Sequence, residues 1–210
     1  MIEVIITDDH PLIREGVKKT LHNEIDIEVV AEARNAAKTL SLLQNKQPDL
    51  LILDITMPGK SGLEFLKDIR KLFPELRILI LSIHPAKRFA VRALKAGAHG
   101  YLCKSSISEE LVKAIRKITR QKRKYITPDA AELLAGQFGE NNGELHEALS
   151  DREFEVLRMI AQGMAISKIA DELNLSSHTI HTYRSRIKEK MHLESNVEMT
   201  RYAINNELID

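Results

Sequence analysis

Side chains that could handle a phosphoryl group stand at the ends of four apolar runs in the first half of the chain. Asp8 and Asp9 follow the first run, Asp54 closes the second, Ser82 closes the third and Lys104 follows the fourth. In an open α/β sheet, ligands bind in the crevice at the carboxyl ends of the strands. If the four runs are strands of one sheet, we expect their terminal polar side chains to meet in one site.

The residue types predict the chemistry of this site. Carboxylates that converge repel one another and need a cation, and Mg²⁺ prefers oxygen ligands of this kind. Asp54 ends a fully apolar run, so it is the predicted nucleophile that would form an acyl phosphate. Lys104 would supply a positive charge for the phosphoryl group, and Ser82 would supply a hydroxyl donor.

Around these residues, strand-like runs alternate with stretches of helical period from residue 2 to residue 120. The predicted strands are 2–7, 27–33, 49–54, 77–82 and 99–103, and the predicted helices are 11–22, 36–45, 62–72, 85–96 and 109–120. Five repeats of strand and helix predict an α/β fold in which helices cover both faces of a parallel sheet.

Residues 1–120 resemble a two-component receiver domain, whose fold is a flavodoxin-like (βα)5 sheet. The resemblance is carried by Asp8-Asp9-His10-Pro11, Asp54-Ile55-Thr56-Met57-Pro58 with Gly62, Ser82, and Gly100-Tyr101-Leu102-Cys103-Lys104. It implies that a sensor histidine kinase phosphorylates Asp54. It also implies a Mg²⁺ ion whose ligands are Asp8, Asp9, Asp54 and the backbone carbonyl of Thr56.

The same resemblance implies that Ser82 and Tyr101 are switch residues. The hydroxyl of Ser82 would move towards the phosphoryl group, and the ring of Tyr101 would turn inward. Without the resemblance, the sequence favours a different interpretation of Tyr101, a half-buried aromatic residue in a strand.

After residue 120 the strand pattern ends. Residues 121–148 are a predicted linker with a short helix at 130–138, and residues 149–210 are a predicted all-α domain. Its four helices are expected at 151–162, 166–173, 177–191 and 196–207, with capping boxes that begin at Ser150 and Ser195 and an N-cap at Ser176. The short connection between the second and third of these helices has the length of a helix-turn-helix turn.

This domain resembles the LuxR-type helix-turn-helix of NarL/FixJ regulators. The matching segments are Leu149-Ser150-Asp151-Arg152-Glu153-Phe154-Glu155-Val156-Leu157, Ile160-Ala161-Gln162-Gly163, Ile169-Ala170 and Ser176-Ser177-His178-Thr179-Ile180. The resemblance implies binding to double-stranded promoter DNA, as a homodimer when the receiver is phosphorylated. The third helix supplies the predicted DNA contacts, which are Ser177, Thr179, His181, Thr182, Arg184, Ser185, Arg186, Lys188 and Lys190.

Among these contacts, the short polar residues His181, Thr182 and Ser185 are candidates for reading base edges, and the arginine and lysine residues are candidates for phosphate contacts. Three departures from the family pattern matter, and one is Tyr183, which replaces the usual histidine. Ala165 stands where a hydroxyl residue usually caps the second helix, so a weak cap is expected there. His181 stands where lysine is common, which makes the contact more dependent on pH.

Composition limits the remaining classes of function. The chain has 210 residues and a net charge of +1, which neither supports nor excludes DNA binding. A single cysteine, Cys103, excludes an intrachain disulfide, and its strand position predicts an inert buried thiol. No apolar run reaches membrane-spanning length and no signal peptide is recognisable at the N-terminus, so a cytoplasmic protein without a membrane partner is expected.

Three functions fit this sequence. The leading one is a transcription regulator, not an enzyme, that phosphorylation of Asp54 switches. A hydrolase of the haloacid-dehalogenase type shares the nucleophile and the metal, but its motif requires a second Asp where Thr56 stands. The third is a phosphorylation-independent DNA-binding regulator whose receiver no longer signals.

Overall fold

The computed structural model describes residues 1–57, 62–83, 86–128, 130–132 and 145–209. The chain divides into two compact units, Met1–Gln137 and Phe138–Asp210. The division falls within the linker that was predicted at 121–148. Residue 128 and residues 130–132 are helical, and the rest of the helix predicted at 130–138 lies outside the described residues.

The first unit is a five-stranded parallel sheet with the strand order β2-β1-β3-β4-β5. Its elements in chain order are β1 (Ile2–Thr7), α1 (Pro11–Leu21), β2 (Ile27–Ala33), α2 (Ala36–Asn45), β3 (Leu50–Asp54), α3 (Gly62–Leu72), β4 (Arg77–Ser82), α4 (Ala86–Lys95), β5 (Gly100–Cys103) and α5 (Ile107–Thr119). This order is that of the flavodoxin-like folds, so the predicted α/β receiver architecture is confirmed.

Complete burial of the central strands explains their apolar sequences. All five residues of β3 are buried, because strands on both sides and helices on both faces cover it. The register pairs Thr7 with Leu53 and Asp54 with Leu81. The carboxyl ends of β1, β3 and β4 therefore lie at the same edge of the sheet.

One helix of this unit begins earlier than predicted. A 3₁₀ turn, Lys104–Ser106, follows β5 directly, and α5 starts at Ile107 instead of residue 109. The turn carries Lys104 at its first position, so the backbone leaves the sheet edge with the lysine still beside the site. Leu111, Ala114, Ile115 and Ile118 anchor α5 to the core.

In the second unit, all the secondary structure of the described residues is helical. After a 3₁₀ turn, Leu145–Ala148, which the sequence did not predict, the unit contains α6 (Asp151–Ala161), α7 (Ile166–Leu173), α8 (Ser177–Met191) and α9 (Asn196–Asn205). The chain turns sharply between α7 and α8 because Asn174 adopts a left-handed conformation with φ of 52°. Helix α6 packs against both α8 and α9, which completes a small core.

Helix caps in this unit follow the sequence with one exception. Ser150 and Glu153 form the predicted reciprocal capping box, and Ser176 accepts from the N–H of Thr179 at 3.1 Å. Ala165 supplies no side-chain cap to α7, as expected. At α9, Ser195 caps Glu198, but the Glu198 carboxylate accepts from the N–H of Glu194, so the second capping box is only half formed.

The last helix is shorter than predicted. It ends at Asn205 instead of residue 207, because Glu207 adopts a left-handed conformation that a helix cannot continue. Among all the described residues, no helix combines the length and the apolar character that crossing a membrane requires.

Candidate functional site

The carboxylates of the first unit converge at the sheet edge, as the strand ends predicted. Asp54 is completely buried at the end of β3, and Asp8 is 1 % exposed immediately after β1. Asp9, the next residue, is half-buried. Burial of two carboxylates is costly unless charges or ligands compensate it, so their positions indicate a functional site.

Lys104 joins these two carboxylates. Its Nζ atom lies 2.7 Å from Asp54 Oδ2 and 2.7 Å from Asp8 Oδ2, and its side chain is only 6 % exposed. Both contacts are ion pairs, and the contact with Asp54 is also a hydrogen bond that Lys104 donates. One amine thus serves both buried carboxylates.

The charges of the site shift the pKa values of its groups. Burial raises the pKa of the Asp54 carboxyl above its ordinary value; Lys104 opposes this shift, and Asp8 adds to it. Burial by itself lowers the pKa of the Lys104 ammonium, but Asp54 and Asp8 raise it above the usual value. A further positive charge would therefore favour the ionised form of Asp54.

The backbone after β3 is held close to Asp54. The N–H of Thr56 donates to Asp54 Oδ1 at 2.9 Å, and the N–H of Gly62 donates to the carbonyl of Ile55 at 3.2 Å. A Cβ atom at position 62 would lie 2.2 Å from the Cα atom of Ile55. Only glycine permits this approach of α3 to the residue that follows Asp54.

The site fits a divalent cation. Asp8, Asp9, His10 and Asp54 each offer one ligand atom, and these atoms lie within 4.8 Å of one another. Asp9 Oδ1 and Thr56 Oγ1 are buried without a hydrogen bond, whereas Asp8 Oδ2 is paired with Lys104. Unsatisfied buried oxygens are costly in a native structure, and a bound hard cation would satisfy the carboxylate oxygen of Asp9. His10 was not among the predicted ligands; its position next to Asp8-Asp9 is the only signal for it in the sequence.

The two predicted switch residues lie beside this cluster in the sheet. Ser82 is fully buried at the end of β4, and Tyr101 is 1 % exposed in β5. The ring of Tyr101 is therefore turned inward, and the interpretation as a half-buried aromatic is wrong. The roles of Ser82 and Tyr101 in switching stay predictions.

Cys103 departs from its predicted environment. The residue is half-buried instead of buried, and its sulfur accepts a hydrogen bond from the hydroxyl of Ser105 at 3.1 Å. It pairs with Ser82 in the sheet register, at the last position of β5.

In the second unit, α8 presents two distinct faces. Ile180, Ile187 and Met191 are buried on one side, as predicted. His181, Ser185 and His178 are exposed on the other, at positions that a period of 3.6 residues places together. His178 was not among the predicted contacts, although the same helical period would have placed it on this face.

The predicted contact residues of α8 divide by the bonds they make. Some have partners within the domain: Arg184 donates to Asn196 Oδ1 at 2.6 Å, Lys190 lies 2.6 Å from Glu153 Oε2, Thr179 bonds the hydroxyl of Ser176, and Thr182 donates to the carbonyl of His178. Within the described part of the chain, the side chains of Ser177, His181, Ser185, Arg186 and Lys188 make no hydrogen bond or ion pair. The second group is therefore free for an external partner, and contact with DNA stays a prediction for both groups.

Two family models match the chain, and they correspond to the two units. The model described as "Response regulator receiver domain" matches residues 4–116. The model described as "Bacterial regulatory proteins, luxR family" matches residues 147–203.

Several characterised proteins are similar over the full length. Response regulator GacA from Pseudomonas aeruginosa is 34 % identical, with 100 % of this chain and 99 % of the relative covered. Oxygen regulatory protein NreC from Staphylococcus carnosus is 33 % identical, with 100 % of each covered. Response regulator UvrY from Escherichia coli K12 is 34 % identical, with 99 % of this chain and 96 % of the relative covered.

Solved structures of a further response regulator agree with the fold. A structure of RcsB from Salmonella typhimurium matches with a TM-score of 0.61 at 28 % identity, and the match covers 97 % of this chain and 98 % of that one. An RcsB–DNA complex matches with a TM-score of 0.61 at 27 % identity over 96 % of each chain.

Proposed function

This chain belongs to the response regulators that join a receiver domain to a LuxR-type DNA-binding domain, and we propose that phosphorylation of Asp54 controls its binding to promoter DNA. The phosphoryl donor is a sensor histidine kinase. The observation that carries the proposal is the buried cluster in which Lys104 Nζ lies 2.7 Å from both Asp54 and Asp8. A buried, charge-paired carboxylate beside unsatisfied oxygens is suited to accept a phosphoryl group.

In the proposed reaction, a carboxylate oxygen of Asp54 forms a bond to phosphorus while the bond between phosphorus and the donor nitrogen breaks. The N–H of Thr56 fixes one oxygen of Asp54, which orients the carboxylate for attack. Lys104 then exchanges part of its contact with Asp54 for the phosphoryl oxygens, and the hydroxyl of Ser82 donates to them. Asp8, Asp9, Asp54 and the carbonyl of Thr56 would hold Mg²⁺, which supplies positive charge that neutralises the phosphoryl oxygens.

The DNA-binding surface lies on the exposed face of α8. We place this helix in the major groove, where His181, Thr182 and Ser185 reach base edges and Arg186 and Lys188 meet phosphates. Arg184 and Lys190 have partners on α9 and α6, so part of their role is to fix the orientation of α8 in its domain.

Similar structures support DNA binding as the function of the second unit. One similar structure is described as an RcsB–DNA complex, and another as two RcsB dimers bound to two parallel DNAs. By analogy, we propose that the phosphorylated chain binds DNA as a homodimer.

Intact-mass spectrometry after incubation with Mg²⁺ and a small phosphodonor, acetyl phosphate or phosphoramidate, tests the receiver chemistry. We expect wild type to gain one phosphoryl group and Asp54→Asn to gain none, because the amide removes the nucleophile. Asp49→Asn is the matched control, since Asp49 is an exposed aspartate of the same unit outside the site.

Two results would contradict the proposal. Equal phosphoryl gain in wild type and Asp54→Asn would place the acceptor elsewhere. No gain in wild type with either donor would favour the alternative of a receiver that no longer signals, with DNA binding independent of phosphorylation.

A further inference from the structure

His10 brings a nitrogen atom into the carboxylate cluster of the receiver. Its Nδ1 atom lies 2.9 Å from Asp9 Oδ1 and 3.2 Å from Asp8 Oδ1. Its side chain is 58 % exposed, so the ring borders solvent while its nitrogen faces the carboxylates. An imidazole in this position changes the chemistry of a site that otherwise offers only oxygen.

His10 Nδ1 forms a hydrogen bond of 3.2 Å with Asp8 Oδ1, whereas its contact with Asp9 is not a hydrogen bond. Asp9 Oδ1 lies only 2.9 Å from Nδ1, yet it is buried without a hydrogen-bond partner. The nitrogen and this oxygen therefore face each other at the separation of two ligands of one ion. An ion between them would satisfy the buried oxygen of Asp9.

The distances agree with ligands of one ion. Neighbouring ligands of an octahedral ion with bonds of about 2.1 Å are about 3.0 Å apart, and opposite ligands are about 4.2 Å apart. The two distances from Nδ1 are 2.9 and 3.2 Å, and all four candidate ligand atoms fall within 4.8 Å of one another. The four candidate ligand atoms would need to move only slightly towards one another to bind one ion.

The loop that carries His10 is fixed from both sides. The N–H of His10 donates to Asp8 Oδ1 at 2.8 Å, and Arg14 Nη1 donates to the carbonyl of Asp8 at 2.7 Å. Pro11 begins α1 directly afterwards and restricts the backbone. The ring is therefore positioned beside the carboxylates before any ion binds.

We propose that His10 Nδ1 is a ligand of the receiver's cation and that it shifts the preference of the site from Mg²⁺ towards transition-metal ions. Mg²⁺ prefers oxygen ligands, whereas imidazole suits first-row transition ions, whose affinity for such sites rises from Mn²⁺ to Cu²⁺. The inference rests on the proposed function, because it assigns the cation to the same Asp8, Asp9 and Asp54 cluster. To that function it adds the nitrogen ligand and the preference for transition-metal ions that follows from it.

Calorimetric titration of the full chain with Co²⁺ and, separately, with Mg²⁺ tests the inference. We expect wild type to bind Co²⁺ more tightly than Mg²⁺, and His10→Ala to lose about tenfold or more of the Co²⁺ affinity with little change for Mg²⁺. His22→Ala is the matched control, because His22 is exposed in the same unit at the end of α1. The visible absorption of bound Co²⁺ should also change when His10 is replaced, since a nitrogen ligand is lost.

Asp9→Asn distinguishes the cation site of the proposed function from the nitrogen ligand that is inferred here. If Asp9→Asn weakens both ions but His10→Ala leaves Co²⁺ affinity and absorption unchanged, the nitrogen ligand is overturned and the cation site of the proposed function stands. If neither variant weakens either ion, both the site and the inference fail. A loss of Co²⁺ affinity in His22→Ala equal to that in His10→Ala would also overturn the inference, because it would show binding to surface histidines.

Discussion

His99 lies just before β5 and exchanges two hydrogen bonds with the backbone of Ile78. Its N–H donates to the carbonyl of Ile78 at 2.7 Å, and its ring Nδ1 accepts from the N–H of Ile78 at 3.1 Å. Burial, together with the positive charges of Arg70, Lys124 and Arg77, lowers the pKa of His99 to about 4. The folded receiver therefore requires a neutral imidazole at this position.

This requirement predicts a loss of stability in mild acid. Because the pKa of His99 is depressed in the folded state, its contribution is complete above the unfolded value of about 6.5 and is lost as the pH falls from there towards 4. Between pH 7.5 and 5.5 we expect a loss on the order of 1 kcal/mol, after allowance for solvent screening of a partly exposed ring. Urea unfolding of the full chain, followed by circular dichroism between pH 7.5 and 5.5, measures it.

His99→Asn isolates this effect. The amide oxygen of asparagine can accept from the N–H of Ile78 in place of the ring nitrogen, but it takes up no proton. The variant should therefore lose less stability than wild type between pH 7.5 and 5.5. His22→Asn should behave like wild type, since His22 is exposed. A pH dependence that is the same in wild type and His99→Asn would show that other groups cause it.

At the scale of elements, two helical glycines of the receiver unit predict opposite effects of the same substitution. Gly16 lies in α1, and a Cβ atom there would meet nothing within 4 Å. Gly16→Ala should raise the free energy of unfolding by about 0.8–1 kcal/mol, because alanine has the higher helix propensity. At Gly62, a Cβ atom would lie 2.2 Å from the Ile55 backbone, so Gly62→Ala should lower it by about 1–3 kcal/mol or more.

The same pair of variants tests whether the start of α3 positions Asp54. Moving Ile55 would displace its neighbour Asp54 and the hydrogen bond from Thr56. We expect slower phosphorylation in Gly62→Ala, measured by intact mass over time, and an unchanged rate in Gly16→Ala. Equal rates in both variants, at a temperature where both are folded, would show that the approach of α3 serves stability alone.

The sequence predicted the elements well where one physical signal dominated. Strands β1, β2 and β4 have the predicted bounds, because each strand-like run ends at a polar or small residue. Where the observed helix boundaries differ from the predicted ones, the local backbone conformation is the cause. The 3₁₀ turn after β5 advances the start of α5, and the left-handed Glu207 shortens α9. Neither conformation has a marker in the residue types.

The candidate site was also predicted only in part. Asp8, Asp54 and Lys104 were predicted to meet because each stands at a strand end, a position that topology determines. The presence of His10 in the cluster could not be predicted, since it depends on the direction in which the side chain of a loop residue points. The complete burial of Tyr101 differs from the strand pattern alone, which favoured a half-buried aromatic residue.

At the scale of the whole molecule, the function requires coupling between two units that each contain a site. In the proposed function, the phosphoryl group binds in the first unit and DNA binds in the second. Coupling between two binding sites is reciprocal, so DNA must stabilise the phosphorylated state by the same factor by which phosphorylation strengthens DNA binding. This requirement distinguishes a signalling receiver from an inert one.

We therefore expect phosphorylation to strengthen DNA binding by about 5- to 150-fold, the range that a typical coupling of 1–3 kcal/mol gives. Fluorescence anisotropy at one fixed salt concentration, with DNA selected from a random library by the phosphorylated protein, measures the factor. Asp54→Asn treated with the donor should bind like unphosphorylated wild type, because it keeps α8 but lacks the acceptor. His181→Ala should weaken both states by the same factor, since it removes a DNA contact without touching the receiver. If phosphorylated and unphosphorylated wild type bind equally, the chain is a regulator that binds DNA independently of phosphorylation.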